Sequence, residues 1–288
     1  MSKRLEGGWR TRKPVPKTEG DLPLLSVVTV VYNGLPLLKQ CIESVLSQAY
    51  APMEYIVVDG GSTDGTVELL QQYDNQLAYW ISEPDKGIYN AMNKGLALAK
   101  GEMIALLNAD DFYYPGALKS VMQAYLESGA DVVYGDVCHI QELSNVCLIK
   151  RGVPHLDRMK ETMTLIHPAV FVTRKVYDAV GGFNEHYRIA ADYDFLLRTV
   201  VAGHRFHYVE GNMLTGYRAG GLSSGNCDSI LEAKAIQQEH LGNNLLDLDH
   251  KYRQCKKRSR LREWTYRLAQ IFGGTQRLEK RLVEKWNR

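Results

Sequence analysis

The sequence predicts an α/β protein: a doubly wound, mostly parallel central sheet with helices appended at the C-terminus. Three observations lead there. Short apolar runs rich in Val and Ile alternate with helical patterns over residues 24–136. The first run, 24–32 (LLSVVTVVY), is apolar on both faces, as a strand covered by helices on both sides must be. Three of the runs end directly in polar clusters, at Asn33, at Asp59 and at Asp110-Asp111. Alternating strands and helices give a parallel sheet, and ligands of such sheets sit beyond the carboxyl ends of the strands. Polar groups gathered at those ends mark a candidate site.

The elements can be taken in order. Asn33-Gly34 closes the first strand, and residues 35–48 follow as a helix with Leu38, Ile42, Val45 and Leu46 on one face. A second strand, 54–59, ends in the Gly60-Gly61 turn, and 63–73 is helical. Residues 77–82 form a third strand, and 88–99 a helix that Gly101 stops. The fourth strand is 102–108, the next helix 115–127 has Pro115 near its first turn, and 131–136 is the fifth strand. The stretch 137–225 is mixed. Residues 146–150, 169–173, 204–210 and 212–218 are strand-like, and 192–201 is a helix with Phe195, Leu196 and Val200 inward. Beyond residue 228 the pattern is helical, with a break at Gly273-Gly274.

Composition narrows the class. The chain has 288 residues, enough for one large α/β domain and a helical appendage. A net charge of +2 gives no general affinity for nucleic acid. The five cysteines form no C-x-x-C pair, so the expectation is incidental thiols in a reducing compartment, with no disulfide framework or zinc site. Residues 1–21 carry Lys and Arg but no apolar stretch of a secretory signal, and no run approaches a transmembrane length. The expectation is a chain that stays in the cytoplasm, or at most on a membrane surface.

The sharpest chemical signal is Leu106-Leu107-Asn108-Ala109-Asp110-Asp111. Two adjacent acids behind an apolar strand repel each other unless a cation lies between them. Oxygen donors suit Mg²⁺ or Mn²⁺, which also bridge diphosphate oxygens. Read alone, the pair is equally a polar turn that caps the next helix.

Three segments in order carry a resemblance. Val28-Thr29-Val30-Val31-Tyr32-Asn33, Val58-Asp59-Gly60-Gly61-Ser62-Thr63-Asp64-Gly65-Thr66 and Asn108-Ala109-Asp110-Asp111 resemble the nucleotide-binding motifs of glycosyltransferase family 2, with the GT-A fold. The resemblance covers about residues 24–220 and implies a single catalytic domain over 23–225. Residues 23–136 would be its nucleotide-binding half and 137–225 its acceptor half, flanked by a flexible basic arm, 1–22, and a basic helical extension, 226–288. The implied activity is inverting transfer of a sugar from a nucleotide-diphosphate sugar to an acceptor hydroxyl, in polysaccharide or glycolipid assembly. A sugar-nucleotide transferase or a non-catalytic nucleotide-sugar-binding module on the same fold stays open.

The resemblance also implies roles for individual residues. Thr29, Tyr32 and Asn33 at the first strand end and Asp59 at the second would hold the nucleoside. Asp111 resembles the metal ligand, and Asp110 the ribose and metal-shell acid, for Mn²⁺ or Mg²⁺. In Glu83-Pro84-Asp85-Lys86-Gly87, Lys86 beside a helix start suits diphosphate, and Asp85 faces the nucleotide or caps the helix. Ala190-Ala191-Asp192-Tyr193-Asp194 resembles the segment that supplies the general base, which makes Asp192 the catalytic carboxylate and Asp194 its support or a helix cap. His167 borders the acceptor cleft, and Arg218 would reach phosphate from the Gly-rich loop that follows it. The chain departs from the family pattern at Gly60, Met92, Asn108 and Ala191, where the family often has Asp, Arg, Asp and Glu in turn.

Past residue 251, Lys and Arg interleave with Leu261, Trp264, Leu268, Ile271, Leu278, Leu282 and Trp286 at helical spacing. Such helices suit an anionic membrane surface, next to a lipid-linked saccharide acceptor on the inner face of the cell membrane. Packing on the domain or in a homodimer fits the same pattern.

Overall fold

The computed structural model describes residues 4–13, 22–140, 147–152, 156–218, 226–242 and 248–271. The chain runs β1 (Leu5–Gly7), β2 (Leu25–Val31), α1 (Leu35–Leu46), β3 (Met53–Asp59), α2 (Thr66–Gln72), β4 (Tyr79–Ser82), α3 (Ile88–Leu98), β5 (Met103–Asn108), β6 (Phe112–Tyr113) and α4 (Ala117–Ser128). It continues through β7 (Val132–Ile140), β8 (Cys147–Lys150), β9 (Val170–Thr173), α5 (Arg174–Val180), α6 (Ala191–Val201), β10 (Phe206–Arg218), α7 (Asp228–Leu241) and α8 (Leu248–Ile271). The strands form one sheet in the order β1-β4-β3-β2-β5-β9-β7-β10-β6, with β8 paired to β7. The long ladders, β4-β3-β2-β5 and β7-β10, are parallel. β9 joins them by running antiparallel to both β5 and β7.

Alternation of side chains along β2 builds the two faces. Val27 and Val31 pack with Leu38 and Ile42 of α1, Leu70 of α2 and Val121 of α4. Val28 and Val30 point the other way, toward Tyr89 of α3, Val176 of α5 and Phe195 of α6. Every residue of β2 is buried, which is why the run has no polar face. α3 lies close on β2 because Gly95 has no side chain: a Cβ there would stand 2.3 Å from Cγ1 of Val28. That close approach carries Tyr89, at the start of α3, to the site.

The structure corrects the sequence reading in four places. Residues 4–13 of the expected flexible arm are ordered: β1 pairs antiparallel with β4, Leu5 opposite Ser82 and Gly7 opposite Trp80. Arg10 then reaches the fully buried Glu54 at 3.0 Å and the carbonyl of Leu98 at 3.0 Å. A sheet edge that needs a partner is a non-local feature, and no local pattern announces it. The expected pair of strands at 204–218 is the single strand β10, with register shifts around Val209 and Met213. α5 and the two-residue β6 had no local signature.

Cysteine pairing is the fourth correction. Cys138 is bonded to Cys147 across β7 and β8, and Cys227 to Cys255 across α7 and α8, with Cα separations of 5.4 and 5.7 Å. Tertiary contacts bring together residues 9 and 28 positions apart, so spacing alone does not display the pairs. Only Cys41 is free among the described residues. It is buried, and its thiol is pushed up to about 12 by that burial.

α8 presents Lys251, Arg253, Lys256, Lys257, Arg258 and Arg260. The apolar stripe expected from Leu261 onward involves side chains outside the described set, and residues 272–288, with the Gly273-Gly274 break, lie outside it altogether. Among the described residues, no helix is long and apolar enough to cross a membrane.

The Arg10–Glu54 pair gives a stability prediction. Glu54 keeps the Ser26 hydroxyl at 2.6 Å and the Lys100 amide at 2.5 Å, but Arg10 is its ion-pair partner. Breaking a buried pair leaves an uncompensated charge, so Arg10→Ala is expected to cost about 3 kcal/mol in a urea titration. Glu54→Gln in the same chain should recover part of that loss; equal losses in the single and double variants would show that the charge is not the cause.

Candidate active site

A cavity of ≈ 1030 Å³ opens at the carboxyl ends of β2 and β5 and runs on to α6, α7 and α8. From the first half of the chain, Tyr32, Asn33, Asp85 and Asp110 line it, and from the second half His167 and Asp192 do. Six of the residues singled out in the sequence therefore meet in one space. Thr29, Asp59, Lys86, Asp111, Arg218 and Asp194 are not in its wall.

At the first strand end, Tyr32 is 68% exposed and stands free to cover a flat ring. Asn33 takes a left-handed conformation (φ 50°), which turns the chain sharply into α1. Its side-chain oxygen accepts the amide of Thr63 at 2.9 Å, and its own amide donates to the Ser62 hydroxyl at 2.7 Å. Asn33 thus ties the two strand ends together.

Thr29 and Asp59 are corrected from ligand contacts to framework. The hydroxyl of Thr29 is fully buried against Tyr55 at 3.0 Å, because that position of β2 faces the α1 layer. Asp59 is also fully buried. It accepts the amides of Gly61 and Ser62 at 3.2 and 3.0 Å and the Ser82 hydroxyl at 2.6 Å, and it is bonded to the Ser62 hydroxyl as well. Both oxygens are committed to the turn, and full burial keeps the side chain out of the cavity wall. Gly60 beside it explains Asp85. A Cβ at residue 60 would stand 2.4 Å from Oδ2 of Asp85, so the missing side chain makes the room in which the Asp85 carboxylate sits. The other oxygen of Asp85 accepts the Gly87 amide at 2.8 Å, which fixes its orientation.

Lys86 is exposed and outside the cavity wall. Lys150, Arg188 and Lys251 reach the wall instead. Sequence reasoning had no signal for the first two; Lys251 stood only as one of a run of basic residues.

The two adjacent acids behave differently. Asp110 faces the cavity. Asp111 is 1% exposed. One of its oxygens accepts the backbone amide of Arg218 at 3.0 Å, and the other lies 3.4 Å from the amide nitrogen of Asn108. Burial first, then the neighbouring Asp110 charge, pushes the Asp111 carboxyl well up. Asp111, expected as the metal ligand, is thus turned inward to anchor the end of β10, and of the two acids it is Asp110 that faces the cavity. Arg218 is corrected with it. Its guanidinium donates to Gln40 at 2.6 Å and stacks over Phe112, so it braces α1 against β10. The Gly-rich loop expected after it, 219–225, lies outside the described residues.

Asp192 stands in the first turn of α6, half-buried. One oxygen accepts the Tyr193 amide at 2.9 Å and lies 3.2 Å from the Tyr89 hydroxyl, which also donates to the carbonyl of Ile189 at 2.7 Å. Burial pushes the carboxyl up to about 6, with Glu232 as a further raising charge against the lowering bonds of Tyr193 and Tyr89. A carboxylate with a pKa near the working pH suits proton abstraction. Tyr89 was overlooked in the sequence, where it reads as an ordinary buried position of a helix.

Asp194 is corrected from the acceptor side. It is 1% exposed and bridges His240 of α7 at 2.7 Å and Arg198 at 2.9 Å, so it joins α6 to α7. His167 does line the cavity. Its ring packs edge-on against Phe183 at 5.6 Å, and burial lowers its pKa to about 4, which keeps it neutral at physiological pH.

A cation site can be tested against these residues. Among the described residues, no cluster of three or more His, Cys, Asp or Glu side chains is placed to hold a metal by itself. Asp110 faces the cavity, and the buried side-chain oxygen of Asn108 has no partner. All-oxygen donors of this number fit a hard cation that completes its shell with water and substrate phosphates.

The mostly parallel sheet, with a cavity lined by carboxylates from both halves of the chain, is that of the GT-A fold. Residues 26–166 match the model of glycosyl transferase family 2. A PGL/p-HBAD biosynthesis glycosyltransferase of Mycobacterium bovis (strain BCG / Pasteur 1173P2) is 32% identical over 181 residues, 61% of this chain and 69% of the relative. Staphylococcus aureus TarS, solved with UDP-GlcNAc, superposes with a TM-score of 0.61 at 20% identity, over 79% of this chain and 69% of that one. The mannosyltransferase PcManGT from Pyrobaculum calidifontis, solved with GDP-Man and Mn²⁺, gives 0.55 at 19%, over 80% and 66%. The chain belongs to glycosyl transferase family 2, and it is a glycosyltransferase.

Proposed function

We propose that the protein transfers a sugar from a nucleotide-diphosphate sugar to an acceptor hydroxyl with inversion at the anomeric carbon. The observation that carries this is the meeting of Asp110 and Asp192, from opposite halves of the chain, in one cavity. Tyr32 covers the base, and Asp85, seated in the space left by Gly60, accepts a base or ribose N–H or O–H. Asp110, with Asn108 behind it, would hold Mn²⁺ or Mg²⁺, and the cation would supply charge neutralisation for the diphosphate leaving group. Asp192 takes the proton from the acceptor hydroxyl as its oxygen attacks the face of the sugar opposite the diphosphate. A single displacement needs no enzyme nucleophile, and it inverts the configuration.

The acceptor side supports an amphipathic substrate. Met163, Leu165, Ile166, Ile230 and Leu248 give that end of the cavity apolar walls, and Lys150, Arg188 and Lys251 supply positive charge. A relative named for PGL/p-HBAD biosynthesis is in keeping with a saccharide or lipid-linked saccharide acceptor in surface polysaccharide or glycolipid assembly. The basic residues of α8 support peripheral attachment to an anionic membrane surface on its cytoplasmic side.

A panel of UDP-, GDP- and dTDP-sugars with Mn²⁺ tests the reading. Nucleotide release from one base class, abolished by EDTA, is the expected result, together with an inverted anomeric product. Binding without turnover would make the protein a nucleotide-sugar-binding module, and a retained configuration would remove Asp192 as a simple base.

A further inference from the structure

We infer that Glu232 of α7 is a positioning residue for the base: it fixes the backbone that presents Asp192 to the cavity. This rests on the transferase reading above. Ala190 precedes α6 and has no side-chain cap for the helix start, and Ala191 brings no carboxylate to it. Glu232 supplies one from a helix 42 residues further along the chain. One of its oxygens accepts the Arg188 amide at 3.0 Å, and the other accepts the amides of Ile189 and Ala190 at 2.9 and 2.8 Å. Three consecutive backbone donors thus converge on one carboxylate, immediately before the first turn of α6. A negative group there also favours the positive end of the helix.

The clamp is two-sided. The carbonyl of Ile189 is held by the Tyr89 hydroxyl at 2.7 Å, so α3 and α7 grip the same peptide from opposite directions. α7 repeats the contact on either side of the base. Glu239 accepts the Tyr187 hydroxyl at 2.7 Å, Gln237 donates to the Tyr193 hydroxyl at 3.0 Å, and His240 meets Asp194 at 2.7 Å. Of these groups, Glu232 is the one that pulls on the backbone at the helix start, and its charge adds to the burial that raises the Asp192 carboxyl. Among the described residues, the Tyr89 hydroxyl of α3 and the Tyr193 amide bond Asp192, and Lys150, Glu161, His167, Arg188 and Lys251 line the same cavity. A base displaced by a fraction of an ångström loses its line to the acceptor hydroxyl, whereas the nucleotide end of the cavity is untouched.

The test compares Glu232→Gln, which keeps an accepting oxygen without the charge, and Glu232→Ala, which keeps neither. Nucleotide release is followed with whichever of the UDP-, GDP- or dTDP-sugars the wild type turns over fastest, in Mn²⁺. Misplacement of a reacting group costs up to ~100-fold, so Glu232→Ala is expected to lower kcat at least ~10-fold with KM for the donor within ~3-fold. Glu232→Gln should retain more of the rate. In both variants the acidic limb of the kcat–pH profile should move to lower pH, because a like charge near Asp192 has gone; a role in stability alone would not move it. If Glu232→Ala does not fold, the limb in Glu232→Gln decides. An unchanged kcat in Glu232→Ala, or a limb that stays in place in both variants, overturns the inference while leaving the transferase reading intact. A wild type that releases no nucleotide from any donor overturns both.

Discussion

Asp192→Asn is expected to lower kcat by ~10²–10⁴, the range that a positioned general base contributes, with donor affinity unchanged. The amide keeps the oxygen that accepts the Tyr193 amide and lies beside Tyr89, so the first turn of α6 should stand as it does in the wild type. What it loses is the capacity to take a proton. In the wild type, kcat should fall as pH drops through about 6, because Asp192 must be ionised to act and its folded pKa stands there. The sign for stability is opposite. A carboxyl whose folded pKa lies above its unfolded value favours the folded state below the unfolded pKa, and that contribution is lost as pH rises through about 6. Asp192→Asn should therefore unfold at a higher temperature than the wild type at pH 8, and the gap should close toward pH 4. A variant that turns over at the wild-type rate would remove Asp192 from the reaction. Equal melting temperatures at pH 8 would mean that its burial costs nothing.

The base could be picked out in the sequence, but its surroundings could not. Asp192 stands at the start of an obvious amphipathic helix, in a segment whose residue types are chemically distinctive. Tyr89 lies 103 residues before it, and Glu232, which holds the backbone leading into its helix, lies 42 residues beyond Ala190. Tyr89 has the look of a buried helix position, and Glu232 sits among many charged residues of a C-terminal helix. Nothing in either local pattern encodes the contact.

Asp110→Asn is the second large effect. Neutralising the cavity carboxylate should cut Mn²⁺-supported turnover by ~10² or more, since a cation contributes several kcal/mol of charge stabilisation to a leaving diphosphate. Asp111→Asn is expected to be milder by at least ~10-fold, because an amide at 111 still offers an oxygen to the Arg218 amide and that side chain does not face the cavity. Mn²⁺ titrations of the two variants give the comparison. The half-saturating Mn²⁺ concentration should rise for Asp110→Asn and hold for Asp111→Asn. The reverse order would return the metal to Asp111 and require the end of β10 to move.

The sequence by itself determined the class of fold, the order of the central strands' chemistry and the family. Apolar runs on β2, β3 and β5 that end in polar groups, at Asn33, Asp59 and Asp110-Asp111, are local patterns, and hydrophobic periodicity is enough to show them. It also determined that an acid of the 110–111 pair and an acid of the 192–194 segment would be the groups to watch. The tertiary structure alone decided which oxygens are free to work. Burial and prior hydrogen bonds took Thr29, Asp59, Asp111 and Asp194 into the framework, while the gap at Gly60 let Asp85 in. It alone also decided that residues 4–13 extend the sheet, that four cysteines pair, and that α7 grips the loop before the base. The physical reason is the same throughout. A side chain's type and period are written in its neighbours along the chain, but whether its polar atoms are already satisfied depends on residues dozens of positions away.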